Sequence, residues 1–334
     1  MRILFADKFP AQQLETMRAR GHECELRPEL TGAELTNEIS SYDVLVVRST
    51  EVTKTMLEAA DALRMVIRAG AGYNTIDIQA AGERSVYVCN VPGKNAIAVA
   101  ELAFGLLLAI DRNIPDNVAD LRAGRWDKSR YQKAEGLFGR SVGIVGIGAI
   151  GLAFAERAHA FGMLVHVLAS SGRSPDTVRR LDAIGATHLP GLPELASAVD
   201  VISFHVPADP TTRGMIGAEL LSHLRPGAIV LNTSRGDLVD EEAMLAALDD
   251  GIRAGLDVYP DEPGSGRGEF ISALAQHPNV YGTHHIGAST TQAQQAIADE
   301  IVQMISAFES GEVRNPVNLD LVRSQEVSPR RTSD

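Results

Sequence analysis

Gly146, Gly148 and Gly151 stand directly after an apolar stretch, in the spacing G-x-G-x-x-G. The stretch Ser141–Val145 predicts a buried strand and a helical stretch follows the glycines, which is the context that makes this short motif specific. Gly146 would permit the tight turn, Gly148 the approach of the backbone to a pyrophosphate, and Gly151 close packing of the helix on the strand. The free N–H groups of the first helical turn would bind the phosphates. The motif therefore predicts a dinucleotide site.

The end of the next predicted strand indicates which dinucleotide is favoured. About 20 residues after the glycines, a carboxylate usually binds the adenosine 2′-hydroxyl and repels a 2′-phosphate. Here Ala169 holds that position, and Ser170, Ser171 and Arg173 come next. Two hydroxyls and a guanidinium favour NADP(H) over NAD(H). Binding of NAD(H) through other contacts, with Arg173 as a solvated loop residue, stays open.

Three charged or titratable residues follow predicted strands later in the chain. They are Arg235, Glu262 and His285. Ligands of open α/β sheets bind beyond the carboxyl ends of the strands, so the three side chains could point into one crevice. Taken singly, each is more often a surface or turn residue.

Longer segments around these residues resemble one enzyme family. The chain is identified as a member of the D-isomer-specific 2-hydroxyacid dehydrogenases by its glycine loop and by the segments N-T-S-R-G (232–236), L-D-V-Y-x-x-E-P (256–263) and H-I-G-A-S-T (285–290). The resemblance reaches to about Asn318. Within the family, R-A-G-A-G (68–72) and A-E-L (100–102) are most similar to the phosphoglycerate dehydrogenase branch.

The resemblance implies that Arg235, Glu262 and His285 are catalytic, and the chemistry of 2-keto acid reduction agrees. A nicotinamide supplies a hydride to C2, and a proton must reach the carbonyl oxygen. Imidazole titrates near neutrality, so His285 would donate that proton and act as base in the oxidative direction. Glu262 would favour and orient the imidazolium, and Arg235 would bind the substrate carboxylate and polarise the keto oxygen. His284 stands where the family commonly has Pro.

Further site residues are carried over from the same resemblance. Asp257 resembles the acid that contacts the nicotinamide carboxamide, with capping of a turn as the alternative; a surface ion pair is the alternative for Arg48. The predicted cofactor residues are Gly146, Gly148, Ala149, Ile150, Gly151, Ser170, Ser171, Arg173, His205, Val206, Pro207, Thr233, Ser234 and Asp257. The predicted substrate residues are Arg48, Ser49, Arg68, Ala71 and Gly72, and no metal is expected.

The elements that must position these residues alternate along the chain between short apolar strands and helices. This pattern predicts an α/β fold of two Rossmann-like or flavodoxin-like domains with parallel sheets, and we expect the active site in the cleft between them. The substrate domain would comprise residues 1–99 and 289–334, and the dinucleotide-binding domain residues 100–288. Residues 323–334 would form a disordered tail. Residues 96–124 read as one long helix bent near Pro115.

Composition excludes several classes of protein. The chain has 334 residues and a formal net charge of −12, which argues against nucleic acid as a partner, because phosphate binding needs a basic surface. Two cysteines cannot form a disulfide framework, and neither a signal peptide nor a membrane span is expected. We therefore expect a cytoplasmic protein.

The sequence leaves the substrate open. The pair 3-phosphoglycerate and 3-phosphohydroxypyruvate of serine biosynthesis would need extra positive charge, for which Arg48, Arg68 and the cluster at 126–133 are candidates. An NADPH-dependent glyoxylate or hydroxypyruvate reductase would not need that charge, and the predicted NADP(H) preference favours it. A nucleotide-sensing, corepressor-like binding protein is an alternative of another class. The resemblance implies a homodimer through the cofactor domain, in which Arg130 or Lys133 would reach the partner's site. It leads us to expect no C-terminal regulatory domain.

Overall fold

The structure, a computed structural model, describes residues 1–30, 32–263 and 268–327. The chain divides into two compact units. Unit 1 comprises Met1–Asn95 and the described residues from Thr290 onward, and unit 2 comprises Ala96–Pro263 and Gly268–Ser289. The sequence prediction placed the two changes of domain after residues 99 and 288, and here they fall after Asn95 and Ser289.

Strands and helices alternate through both units. The strands are β1 Arg2–Phe5, β2 Glu23–Leu26, β3 Val44–Val47, β4 Met65–Arg68, β5 Tyr87–Asn90, β6 Ser141–Val145, β7 Leu164–Leu168, β8 Thr187–Leu189, β9 Val201–Phe204, β10 Ile229–Asn232, β11 Arg253–Leu256 and β12 Val280–Gly282. The α-helices are α1 Ala11–Ala19, α2 Gly32–Glu38, α3 Lys54–Ala59, α4 Ile78–Glu83, α5 Ala96–Arg112, α6 Ile114–Arg122, α7 Ala149–Ala160, α8 Pro175–Ala183, α9 Leu192–Ala198, α10 Ala218–Ser222, α11 Glu241–Asp249, α12 Ala273–Gln276, α13 Thr291–Glu309 and α14 Leu319–Val327. Short 3-10 helices span Ile39–Ser41, Ser129–Tyr131 and Gly236–Leu238.

Unit 1 is built on a parallel sheet in the order β2-β1-β3-β4-β5. This is the flavodoxin-like order. Successive strand residues point to opposite faces. Ile3 and Phe5 therefore pack in the core that contains Met17 of α1 and Ile301 of α13, whereas Leu4 packs in the core that contains Leu57 of α3. Helices on both faces explain why the inner strands β1, β3 and β4 are apolar at nearly every position.

Unit 2 carries a second parallel sheet, in the order β12-β11-β10-β9-β6-β7-β8. Apart from the extra strand β12, this is the Rossmann order. Strands β6 to β8 are added toward one edge of the sheet, and from β9 onward the strands are added toward the other edge. Ile144 of β6 packs with Phe104 of α5 and Phe154 of α7, and the next residue, Val145, packs in the core of the other face. The predicted α/β class with two parallel-sheet units is confirmed.

Two local predictions were wrong. The long helix of residues 96–124 is two helices, because Asn113 adopts a left-handed conformation (φ 47°) that ends α5. Pro115 lies in the first turn of α6. Backbone N–H groups there have no acceptor within the helix, so the missing N–H of proline costs no hydrogen bond. Residues 323–327 belong to helix α14 rather than to a disordered tail, and residues 328–334 lie outside the described residues. No helix in the described ranges is long and apolar enough to cross a bilayer.

Candidate active site

The turn after β6 lies close to the backbone of the loop after β9 and to the first turn of α7. Gly146 has φ 95°, and a side-chain Cβ there would lie 2.5 Å from the carbonyl oxygen of His205. A Cβ on Gly151 would lie 1.9 Å from the carbonyl oxygen of Gly146. At Gly148, which precedes α7, a Cβ would meet nothing within 4 Å. The amides of Ala149 and Ile150 thus begin α7 beside open space, and a helix N-terminus of this kind favours an anion.

Buried polar atoms around this turn fit a bound dinucleotide. The Thr233 hydroxyl and His205 Nδ1 are buried and have no hydrogen-bond partner in the described part of the chain. Such atoms are costly unless something binds them. Burial lowers the pKa of His205 to about 3, so its ring is neutral at physiological pH. Ser234 differs from Thr233, because its Oγ donates to the Phe204 carbonyl over 2.8 Å.

The predicted adenosine end lies at the carboxyl end of β7. Ser170 and Ser171 are exposed. Arg173 Nη2 donates to the Leu168 carbonyl, and Arg173 Nη1 lies 3.2 Å from His188 Nδ1. These contacts hold the guanidinium against the end of the strand. This is the loop on which the predicted preference for NADP(H) depends.

Two of the predicted catalytic residues are in direct contact. His285 Nδ1 lies 2.6 Å from Glu262 Oε1. The His285 and Glu262 side chains are 49% and 32% exposed, so a small molecule can reach the pair. Because Nδ1 is engaged by Glu262, Nε2 is the nitrogen left to exchange a proton with a substrate. A carboxylate that orients an imidazole in this way fits general acid–base chemistry.

Arg235 lies in the turn after β10, close enough to Glu262 for the two charges to interact. Burial lowers the pKa of the Arg235 guanidinium, while the charges of Glu262 and Asp237 raise it. The fully buried Asn232 shapes this turn: its Nδ2 donates to the Arg235 carbonyl over 2.9 Å, and its Oδ1 accepts from the Ser234 amide over 3.0 Å. The arrangement places a half-buried cation near the acid–base pair.

Asp257 follows β11 and is almost completely buried, with 1% exposure. Its carboxylate accepts hydrogen bonds from Thr283 Oγ1 and from the amides of Ile286 and Gly287. The acid predicted to contact the cofactor is therefore bound by the loop that carries His285.

The predicted substrate residues lie in unit 1, at the carboxyl ends of β3 and β4. The amides of Arg48 and Ser49 donate to Asp7 Oδ2 over 2.6 and 3.1 Å. The Arg68 guanidinium lies over Gly70, where a Cβ would come within 1.6 Å of Arg68 Nη1. The loop continues through Ala71, whose carbonyl accepts from Asn90 Nδ2 over 2.6 Å, to Gly72.

Sequence reasoning missed the residues that hold these loops. Asp7, Asn232 and Thr283 stand at strand ends and fix a turn through side-chain contacts to backbone or carboxylate. The signal available was a short polar side chain directly after an apolar run, a common device for shaping turns. In the part of the chain that the structure describes, no group of three His, Cys, Asp or Glu side chains could hold a metal ion.

Comparison with known proteins agrees with this geometry. Residues 104–287 match the family described as "D-isomer specific 2-hydroxyacid dehydrogenase, NAD binding domain". The D-3-phosphoglycerate dehydrogenase of Methanocaldococcus jannaschii is 38% identical over 96% of this chain, which spans only 60% of that relative's length. The hydroxypyruvate reductase of Thermotoga maritima is 40% identical, over 81% of this chain and 86% of the relative.

A solved structure shares the whole fold. The acyclic imino acid reductase Bsp5, in complex with NADPH and D-Arg, superposes with a TM-score of 0.81 at 28% identity, and the match covers 95% of this chain and 99% of the other. The chain belongs to the D-isomer specific 2-hydroxyacid dehydrogenases.

Proposed function

We propose that the protein is a nicotinamide-dependent oxidoreductase that interconverts a D-2-hydroxy acid and its 2-keto acid. The contact of 2.6 Å between His285 and Glu262 carries this proposal, because it joins a proton donor to the carboxylate that orients it. The half-buried Arg235 supplies the cation that an anionic substrate needs. A bound nicotinamide dinucleotide would supply the hydride.

The chain's own residues perform the rest of the reduction. Arg235 has N–H donors besides the one that bonds to the Ser234 carbonyl, and these would bind the substrate carboxylate and polarise the keto oxygen. As C2 receives the hydride, His285 gives the proton on Nε2 to that oxygen. In the oxidative direction neutral His285 takes the hydroxyl proton back. Glu262 keeps Nε2 directed toward the substrate by holding Nδ1.

We propose 3-phosphoglycerate and 3-phosphohydroxypyruvate as the substrate pair. The similarity to a D-3-phosphoglycerate dehydrogenase and the cationic side chains of Arg48 and Arg68 support it. Hydroxypyruvate or glyoxylate is the second candidate, supported by the 40% identity to a hydroxypyruvate reductase whose length the chain nearly spans. For the cofactor we propose a modest preference for NADP(H), supported by Ser170, Ser171 and Arg173.

One assay separates these candidates. The protein is tested with 3-phosphohydroxypyruvate, hydroxypyruvate and glyoxylate, each with NADH and with NADPH, and with 3-phosphoglycerate in the oxidative direction. The highest kcat/KM identifies the substrate. Absence of turnover on all of them would refute the oxidoreductase proposal and favour the corepressor-like alternative.

We further propose a homodimer through unit 2, in the cytoplasm. Helix α6 exposes an apolar stripe at the spacing i, i+4, i+7, which a second copy would cover. Its side chains are Ile114, Val118 and Leu121. Arg130, predicted to reach the partner's site, forms an ion pair of 2.8 Å with Asp120 of its own chain. Light scattering on the wild type and on Leu121→Glu tests the dimer; a monomeric wild type would refute it.

Two free, buried cysteines, Cys24 and Cys89, support a reducing compartment.

A further inference from the structure

We propose that Asp257 and Thr283 are positioning residues for the proton transfer: together they hold the His285 loop in the backbone conformation that brings Nδ1 to Glu262. This inference rests on the proposed function for its kinetic meaning. It gives Asp257 a different role from the cofactor contact that the sequence suggested, and it assigns a role to Thr283, which no motif singled out.

Asp257 accepts hydrogen bonds from residues on both sides of His285. Asp257 Oδ1 accepts from Thr283 Oγ1 over 2.6 Å and from the Ile286 amide over 2.8 Å. Asp257 Oδ2 accepts from the Gly287 amide over 2.8 Å. The main-chain carbonyl of Asp257 accepts from the His285 amide over 2.8 Å. One residue therefore fixes the loop before, at and after His285.

The conformation that these bonds hold is unfavourable in itself. His285 has φ 51°, in the left-handed region that residues other than glycine seldom adopt. Such a conformation persists where the surrounding structure over-determines it. The preceding residue is His284, not proline, so no ring restricts φ at that position. Asp257 makes four of the contacts to this loop, and its carboxylate is itself almost completely buried, where a charged acceptor binds amides strongly.

The position of the imidazole follows from this backbone. His285 is about half exposed, so packing alone does not fix its ring. A backbone that relaxed out of the left-handed region would swing the side chain away from Glu262. A displacement of about 1 Å at a reacting group is enough to lower a rate by about 100-fold. Asp257 and Thr283 thus act on the reaction through His285, without touching the reacting atoms.

Thr283→Val and Thr283→Ser test the proposal as a matched pair, since valine keeps the shape and removes the donor, whereas serine keeps the donor. For Thr283→Val we expect kcat to fall by about tenfold, the factor that corresponds to one lost hydrogen bond to a charged group. The NADPH dissociation constant, measured by fluorescence titration, should stay within about twofold. Thr283→Ser should stay within about threefold of the wild-type kcat. The kcat of Asp257→Asn should fall further than the kcat of Thr283→Val.

A second readout is independent of turnover. Hydrogen exchange of the His285, Ile286 and Gly287 amides should be faster in Thr283→Val than in the wild type and in Thr283→Ser. A wild-type kcat in Thr283→Val, a loss confined to NADPH affinity, equal defects in the two variants, or unchanged exchange would each overturn the proposal. If the wild type turns over none of the keto acids, the proposed function fails, and amide exchange alone decides whether Thr283 holds the loop.

Discussion

Glu262→Gln removes the charge opposite His285 and keeps the size and hydrogen-bonding ability of the side chain. A hydrogen bond to a charged group contributes about 1.5–3 kcal/mol. The two side chains are 49% and 32% exposed, so solvent screening places the loss at the lower end. A loss of about 1.4 kcal/mol in the transition state lowers kcat/KM for keto-acid reduction by about tenfold.

The assay follows consumption of NADPH with the best 2-keto acid, and fluorescence titration gives the NADPH dissociation constant. Glu269→Gln is the matched control, because this exposed carboxylate lies on the same connection to β12 as Glu262. Glu269→Gln should keep wild-type activity. A Glu262→Gln enzyme within twofold of the wild type would refute the assigned role of the carboxylate.

Two further predictions concern the cofactor residues. Arg173→Ala should lower the ratio of kcat/KM with NADPH to kcat/KM with NADH by about tenfold, since it removes a charge-assisted contact to a 2′-phosphate. Arg179→Ala, which changes an exposed arginine on α8, is the control. An unchanged ratio in Arg173→Ala would refute the NADP(H) preference. Because burial lowers the pKa of His205 from 6.5 to about 3, the unfolded chain takes up a proton at this residue as pH falls through that window while the folded chain does not. As pH falls from 6.5 to 3, this proton uptake lowers the free energy of unfolding by up to about 1.4 kcal/mol for each pH unit. Above pH 6.5, His205 leaves the free energy of unfolding unchanged. Urea unfolding of the wild type and of His205→Gln should show a shallower pH dependence in the variant, and parallel curves would contradict a buried neutral ring.

The parts of the fold that the sequence predicted are those with local signals. The strand, the glycine spacing and the helix around Gly146 are contiguous, and so is the alternation that indicates parallel sheets. The break at Asn113 was missed because apolar periodicity continues across it, and a single left-handed residue leaves no mark on that pattern. Helix α14 was missed because its sequence is polar, and it is stabilised by contacts such as that of Leu321 with Gly82 on α4.

The candidate site divides in the same way. Arg235, Glu262 and His285 could be selected because each follows a strand within a recognisable segment. The contacts that hold their loops join distant positions, as Asp257 joins Thr283 and Asp7 joins Arg48. Nothing within either short segment indicates the partner. The roles of the cofactor and substrate residues stay predictions until they are measured.

The central claim is that His285 donates the proton in keto-acid reduction. The most direct test compares His285→Gln with His284→Gln, two neighbouring histidines in one loop. His285→Gln should lower kcat by at least about 100-fold with the NADPH dissociation constant unchanged, as expected for loss of a general acid. His284→Gln, at an exposed position, should retain activity within about threefold. A near-normal kcat in His285→Gln would show that another group donates the proton and would contradict the mechanism.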